Sequence, residues 1–128
     1  MKLLLDSHAL IWWLSGDARL PASARGLLSD AQNDVYVSAA SAWEITTKHR
    51  IGKLPGVALL AADFDAAILK HGLLPLSITV RHGQLGGSLA GVHKDPFDRI
   101  LIAQALIESM TLISNEKHFD AYGVARMW

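Results

Sequence analysis

The sequence is defined first by what it lacks: its 128 residues contain no cysteine and no excess of charge of either sign. Without cysteine, the chain has no disulfide framework, no thiolate zinc site and no thiol nucleophile. Twelve Lys and Arg residues balance twelve Asp and Glu residues, which excludes a protein that holds nucleic acid by bulk positive charge alone. A protein that meets phosphate groups through a bound cation remains compatible with this composition.

Long apolar runs are also missing, since no stretch reaches the roughly 18 consecutive apolar residues of a membrane span. The apolar opening resembles the start of a signal peptide, but Asp6 interrupts it too early. We therefore expect a cytoplasmic protein with no membrane contact. With 51% hydrophobic and 19% charged residues, the chain is predicted to fold as one globular domain over residues 1–128. The high apolar fraction also favours a surface that is covered by a partner.

Short apolar runs alternate with helical patterns along the chain. The predicted strands are residues 3–5, 35–37, 73–76, 111–113 and 123–128. The predicted helices are residues 9–14, 21–31, 39–50, 56–71, 79–85 and 97–109, with Trp43 in the core and a flexible loop through Gly86, Gly87, Ser88 and Gly91. This alternation predicts an α/β fold with a mostly parallel sheet and helices on both faces. Ligands of such folds bind beyond the carboxyl ends of the strands.

Two acidic residues, Asp6 and Glu116, follow predicted strands, a third, Glu44, lies in a predicted helix, and each also has an ordinary explanation. Asp6 follows the first strand, where it is a candidate site residue, a turn residue or a cap of the next helix; Ser7 is a second candidate for that cap. Glu44 lies in a helix among small and apolar neighbours, although it also fits the exposed face of an amphipathic helix. Glu116 follows the strand 111–113 and also fits a solvated loop.

Two further acids flank the start of a strong helix. Asp95 as N-cap, Pro96 at the first helical position and Asp98 in the first turn make a favourable helix start without any functional role. Asp98, however, shares a helix face with Ile102 and Ala105, so it is predicted to point toward the sheet.

In a parallel sheet, four of these acids can meet at one edge, and this arrangement favours a functional role. They are Asp6, Glu44, Asp98 and Glu116. Clustered carboxylates repel each other and raise each other's pKa, so they require a cation. Oxygen ligands without cysteine suit a hard ion, Mg²⁺ or Mn²⁺. Such an ion acidifies a bound water and stabilises charge on a phosphate.

Four ordered segments of the chain resemble one family. They are Leu3–Leu14, Ser41–Lys48 continuing to Gly52–Leu54, Asp95–Arg99 with Ile102–Ala105, and Thr111–Ser114 with Tyr122–Val124. Together they are similar to PIN-domain proteins, especially the VapC-like toxins of bacterial toxin–antitoxin pairs, nearly from end to end. The resemblance implies a PIN fold and an acidic pocket for Mg²⁺ or Mn²⁺. It also implies an endoribonuclease specific for single-stranded RNA, an antitoxin partner and a toxin homodimer.

The resemblance also implies roles for particular residues. Asp6, Glu44 and Asp98 match the first three family acids, with Asp95 a nearby alternative to Asp98. Glu116 falls where the family usually has an aspartate. Ser114 falls where the family often has a hydroxyl near the metal.

The expected chemistry is metal-assisted hydrolysis of a phosphodiester, which leaves 3′-hydroxyl and 5′-phosphate ends. Asp6 and Asp98 would hold the ion, while Glu44 and Glu116 would hold or orient waters or bind a second ion. Candidates for contact with the RNA backbone, which also fit ordinary surface charge, are Lys48, Arg50, Lys53, His93, Lys94 and Arg99. The histidines show no zinc-site spacing.

Two other classes of protein are disfavoured by specific positions, and one alternative function stays open. A receiver domain requires an acid after its central strand, where this chain has Ser38 and Ala39. A haloacid-dehalogenase-type phosphatase requires Asp-x-Asp after the first strand, and position 8 is histidine. A catalytically silent PIN-like module that binds a protein or RNA partner stays open, with Glu116 as its main support.

Overall fold

The computed structural model describes residues 1–128 and contains one sheet of five parallel strands. The strands are β1 (Lys2–Leu5), β2 (Asp34–Ser38), β3 (Leu74–Leu76), β4 (Thr111–Ile113) and β5 (Arg126–Met127), in the order β3-β2-β1-β4-β5. Every neighbouring pair is parallel, as the sequence predicted. Because β1 lies at the centre, both its faces are covered, and Leu3, Leu4 and Leu5 are completely buried.

Seven α-helices connect the strands. They are α1 (Ser7–Ser15), α2 (Ala22–Ser29), α3 (Ala39–Arg50), α4 (Ala58–Ala62), α5 (Phe64–Lys70), α6 (Val80–Ser88) and α7 (Pro96–Glu108), with 3-10 helices at Pro55–Val57 and Lys117–Tyr122. None of them combines the length and the apolar character that crossing a bilayer requires.

The alternation of side chains along β1 divides the core into two layers. Leu3 and Leu5 pack with residues of α1 to α5 on one face of the sheet, whereas Leu4 packs with α7 and Phe119 on the other. Burying one leucine side chain contributes roughly 1.5–3 kcal/mol, so this central strand anchors both layers. The predicted arrangement of helix, sheet and helix layers is therefore confirmed.

The single long helix predicted over residues 56–71 is wrong. Asp63 interrupts it with an extended backbone (φ −152°, ψ 90°), and its Oδ1 accepts a hydrogen bond from the Ala66 amide at 3.1 Å. This contact caps a new helix, so the segment divides into a 3-10 turn, α4 and α5. The apolar positions continue across the break, which is why periodicity alone did not reveal it.

The flexible loop predicted from Gly86 onward is also wrong for its first three residues, because α6 continues to Ser88. Gly86 is buried where α6 crosses α7: a Cβ there would lie 3.3 Å from Ile100 Cδ1 and 3.4 Å from the Arg99 carbonyl oxygen. The glycine therefore serves close helix packing and not flexibility. Trp43 does not join the core, since 65% of it is exposed.

Candidate metal centre

Asp6 lies at the carboxyl end of the central strand and is 5% exposed. Its amide bonds the Ile113 carbonyl at 3.2 Å, which ties the ends of β1 and β4 together. Its Oδ1 accepts from the Ala9 amide at 2.8 Å, so Asp6, and not Ser7, caps α1. Burial raises the pKa of Asp6; contacts with Ser114 and Ala9 oppose this rise, and the charge of Asp98 adds to it.

Glu44 lies in α3 and is 7% exposed, so the interpretation as a solvated surface glutamate is wrong. The Ser7 hydroxyl donates to Glu44 Oε1 at 2.6 Å. Lys48, one turn further along α3, donates to Oε2 at 2.6 Å. This hydrogen bond raises the pKa of Lys48. Small buried neighbours, Ala40 and Ser41, leave space for the carboxylate to reach the edge of the sheet.

The start of α7 separates the roles of its two aspartates. Asp95 Oδ1 accepts from the amides of Phe97 at 2.9 Å and Asp98 at 3.3 Å, so Asp95 is the predicted N-cap. Asp98, one turn into the helix, faces the other acids. Burial raises the pKa of Asp98, the hydrogen bond from His93 opposes the rise, and the charges of Asp95 and Glu44 add to it.

The end of β4 supplies the last two predicted residues. Ser114 is completely buried, and its hydroxyl accepts from the Glu116 amide at 3.0 Å. The Glu116 carboxylate is 47% exposed and lies at the border of the cluster. His118 joins it to the other acids, with Nδ1 3.5 Å from Glu116 Oε2 and Nε2 3.2 Å from Asp98 Oδ2.

Two histidines that were not predicted as metal ligands complete the centre. His93 Nε2 bonds Asp98 Oδ2 at 2.9 Å, and the rings of His93 and His118 stack with centroids 4.0 Å apart. The ligand atoms of His93, Asp98 and His118 all lie within 4.8 Å of one another. Their separation in sequence hid this group; the available signal was that each histidine stands two residues from a predicted acid, Asp95 or Glu116.

The structure therefore brings Asp6, Glu44 and Asp98 together at the carboxyl edge of the sheet and places Glu116 at the border. Burial raises the pKa of both Asp6 and Asp98, so their ionised forms are held at a cost in this pocket. Lys48 is the nearby lysine that offsets part of the negative charge. Such a donor set of partly buried oxygens fits a hard divalent cation.

Three of the six residues predicted to contact RNA lie in different settings. Lys48 is turned inward to Glu44, whereas Lys53 is exposed just beyond α3. Arg99 donates to the carbonyls of Gly86 at 2.8 Å and His93 at 2.9 Å, and also to the Leu89 carbonyl. Its guanidinium group thus fastens residues 86–93 to α7.

The parallel sheet with acidic residues at its carboxyl edge is the arrangement that the resemblance to PIN-domain proteins implies, and the family comparison agrees with it. The family model described as "PIN domain" matches residues 3–125, nearly the whole chain. The chain belongs to the PIN domain family, and the resemblance stated from its sequence is confirmed.

One curated relative and two solved structures are similar to this chain. The chain is 38% identical over 58 residues to Ribonuclease VapC16 of Mycobacterium tuberculosis, an alignment that covers 45% of this chain and 41% of that relative. Its fold is similar to that of VapBC2 from Rickettsia felis bound to a promoter DNA fragment (TM-score 0.71, 15% identity, 99% and 98% of the two chains). It is also similar to Mycobacterium tuberculosis VapC20, described as a sarcin–ricin loop cleaving toxin (TM-score 0.66, 16% identity, 96% of each chain).

Proposed function

We propose that this chain is a Mg²⁺- or Mn²⁺-dependent endoribonuclease that cleaves single-stranded RNA and acts as the toxin of a toxin–antitoxin pair in the cytoplasm. The observation that supports the proposal is that buried Asp6 and buried Glu44 each lie close enough to Asp98 for their charges to interact, while burial raises the pKa of Asp6 and Asp98. A divalent ion removes the cost of that negative charge and brings phosphate to an otherwise neutral protein.

In this proposal Asp6 and Asp98 hold the ion, and Glu44 and Glu116 orient water beside it. The bound ion would acidify a water and neutralise charge on the scissile phosphate. Asp98 is preferred to Asp95 because the Asp95 carboxylate already caps α7. Ser114 holds the Glu116 backbone, and its contact with Asp6 orients that carboxylate. The longer side chain of Glu116 suits its position at the border of the pocket.

The names of two similar proteins support the reaction and its substrate. One is called a ribonuclease, and the other is described as cleaving the sarcin–ricin loop, which is an RNA. The first alignment spans less than half of that relative, and the second likeness is one of fold. The proposal that this chain cleaves RNA therefore rests on its acid pocket and on its membership of the PIN domain family.

An aromatic pair beside the pocket is the proposed platform for an RNA base. Trp43 precedes Glu44, is 65% exposed and meets the Phe97 ring edge-on at 4.9 Å. Stacking on aromatic side chains holds bases of single strands without sequence preference. Lys53 and, once displaced from Glu44, Lys48 are the proposed phosphate contacts, whereas Arg99 is engaged within the fold.

A cleft of about 620 Å³ away from the acids is the proposed antitoxin site. Ile11 and Leu14 of α1 line one side, and Leu59, which is 91% exposed, lies on another. One structure of similar fold, from Klebsiella pneumoniae, is named a toxin–antitoxin complex, which supports a partner of this kind. A homodimer is also proposed, because the apolar residues Val80 and Val92 are 90% and 93% exposed. Sedimentation of the purified chain tests the dimer.

Cleavage of a single-stranded RNA with Mg²⁺, and again with EDTA, tests the proposed reaction. We expect cleavage that EDTA abolishes, 5′-phosphate products, and loss of activity in Asp6→Asn and Asp98→Asn with the circular dichroism spectrum retained. Asp30→Asn, which changes an exposed acid outside the pocket, is the matched control and should keep full activity. If Asp6→Asn cleaves as fast as the wild type, the nuclease proposal fails; if the wild type is inactive but folded, the chain is a silent PIN-like module.

A further inference from the structure

His93 and His118 are not needed for the proposed hydrolysis, yet the fold holds both rings against Asp98. Their Nε2 atoms lie 2.9 Å and 3.2 Å from the same oxygen, Asp98 Oδ2. The rings stack nearly parallel, with an interplanar angle of 28°. Three chain segments therefore deliver two nitrogens and one carboxylate to a single point.

The loop that carries His93 is fixed by specific contacts. Gly91 has φ +109°, and a Cβ at this residue would lie 2.8 Å from the Tyr122 hydroxyl, so only glycine lets the loop lie against the 3-10 helix 117–122. Arg99 holds the His93 carbonyl from the other side at 2.9 Å. His118 packs on the fully buried Phe119 ring, with centroids 4.5 Å apart. Both imidazoles are thus positioned before any ligand arrives.

The hydrogen-bonding capacity of the group is incomplete within the protein. His118 Nε2 is shielded from solvent and has no hydrogen-bond partner, although Asp98 Oδ2 lies 3.2 Å away. The His93 ring already bonds the same oxygen. A buried ring nitrogen without a partner costs roughly 1–3 kcal/mol. A cation among the three atoms supplies the partner that His118 lacks.

The donor set selects the kind of ion. Imidazole nitrogens suit Zn²⁺ and related transition metals, whereas Mg²⁺ prefers oxygen ligands and retains its water. We propose that His93, His118 and Asp98 form a site for a borderline transition-metal ion, with Zn²⁺ as its representative, which shares Asp98 with the pocket of Asp6 and Glu44. Two histidines, one carboxylate and an open fourth position form a recurrent ligand set for zinc.

Calorimetric titration of the metal-stripped full chain with Zn²⁺ tests the site directly. We expect one equivalent to bind, and His93→Gln and His118→Gln each to weaken binding by more than about 100-fold, because losing even an outer-sphere partner costs about 10–100-fold. His71→Gln is the matched control: His71 is exposed, and its Nδ1 meets the Ala67 carbonyl of its own helix. Asp6→Asn should retain the Zn²⁺ affinity, because Asp6 is outside the proposed ligand set.

A measurement on the wild type removes dependence on the folding of the variants. Zn²⁺ should shift the ring ¹⁵N resonances of His93 and His118 and leave those of His71 unchanged. The proposal is overturned if the wild type binds no Zn²⁺, if the two histidine variants bind as tightly as the wild type, or if these two rings do not respond. It is also overturned if Asp6→Asn abolishes binding, because the ion then lies among the carboxylates. None of these readouts depends on RNA cleavage, so failure of the proposed nuclease activity is distinguishable.

Discussion

The ion pair between Glu44 and Lys48 offsets part of the negative charge of the acid pocket, and its removal has a calculable effect. Lys48→Met keeps most of the aliphatic stem but leaves the Glu44 carboxylate with Ser7 as its remaining donor. Breaking a fully buried pair costs roughly 3–5 kcal/mol, whereas an exposed pair contributes about 0.2–1 kcal/mol. The two side chains here are 9% and 38% exposed. An intermediate loss of about 1–3 kcal/mol is therefore expected for the metal-free protein.

Thermal unfolding in EDTA measures this loss. For a domain of this size, 1 kcal/mol corresponds to about 4 °C, so Lys48→Met should lower Tm by about 4–12 °C. In a Glu44→Gln background the same change should have little effect, because the charge that Lys48 neutralises is gone. Lys53→Met removes an exposed lysine and is the control, with a change within about 0.5 kcal/mol.

Divalent ions should partly replace the missing ammonium group. Mg²⁺ is expected to raise the Tm of Lys48→Met more than that of the wild type, because in the variant there is no lysine that the ion must displace from Glu44. Two results would refute the reasoning: equal Tm values for Lys48→Met and the wild type in EDTA, or the same loss in the presence and the absence of the Glu44 charge.

Three further changes test other parts of the pocket. Asp6→Asn should raise Tm in EDTA, unlike Asp30→Asn, because burial raises the pKa of Asp6 and so its ionised form destabilises the folded state. The same shift predicts that the metal-free wild type gains stability as the pH falls through that raised pKa toward the ordinary value of 3.8; in pH-dependent denaturation this gain should be smaller for Asp6→Asn, in which the raised pKa of Asp98 remains. Gly91→Ala should cost about 1–3 kcal/mol in urea unfolding through its positive φ and its contact with Tyr122, and Tyr122→Phe should recover part of the loss. Arg99→Met should cost about 2–4 kcal/mol, since three backbone carbonyls lose a charged donor, and unchanged unfolding would contradict the fastening role.

The strands and the acids were predictable from local sequence. Leu3–Leu5 is an apolar run that ends at an acid, and the strand 111–113 is likewise followed closely by Ser114 and Glu116. The rule that parallel strands present their carboxyl ends at one edge then predicts the meeting of Asp6 with Ser114, which the structure shows. The small neighbours of Glu44 in α3 were compatible with its burial, but the sequence fitted an exposed position equally, and the tertiary contacts decided between them.

The errors arose where a tertiary contact decided the local structure. Asp63 ends one helix and begins another without disturbing the apolar pattern on either side. Gly86 reads as a helix breaker until α7 is packed against it. The histidine pair depends on the path of the loop before α7, which Gly91 and Arg99 determine together, so the only signal in the sequence is that each histidine stands two residues from a predicted acid.

The pairing of β1 with β4 has a consequence for protein synthesis. Leu3 pairs with Thr111, so the centre of the sheet stays open until nearly the whole chain has left the ribosome. A nascent chain that stops before α7 contains Asp6 and Glu44 but has no opposing acid and no histidine pair. If the finished protein cleaves RNA as proposed, the ribosome that makes it meets no complete active site before the chain is released. An antitoxin that is already present can therefore bind the toxin as soon as it has folded.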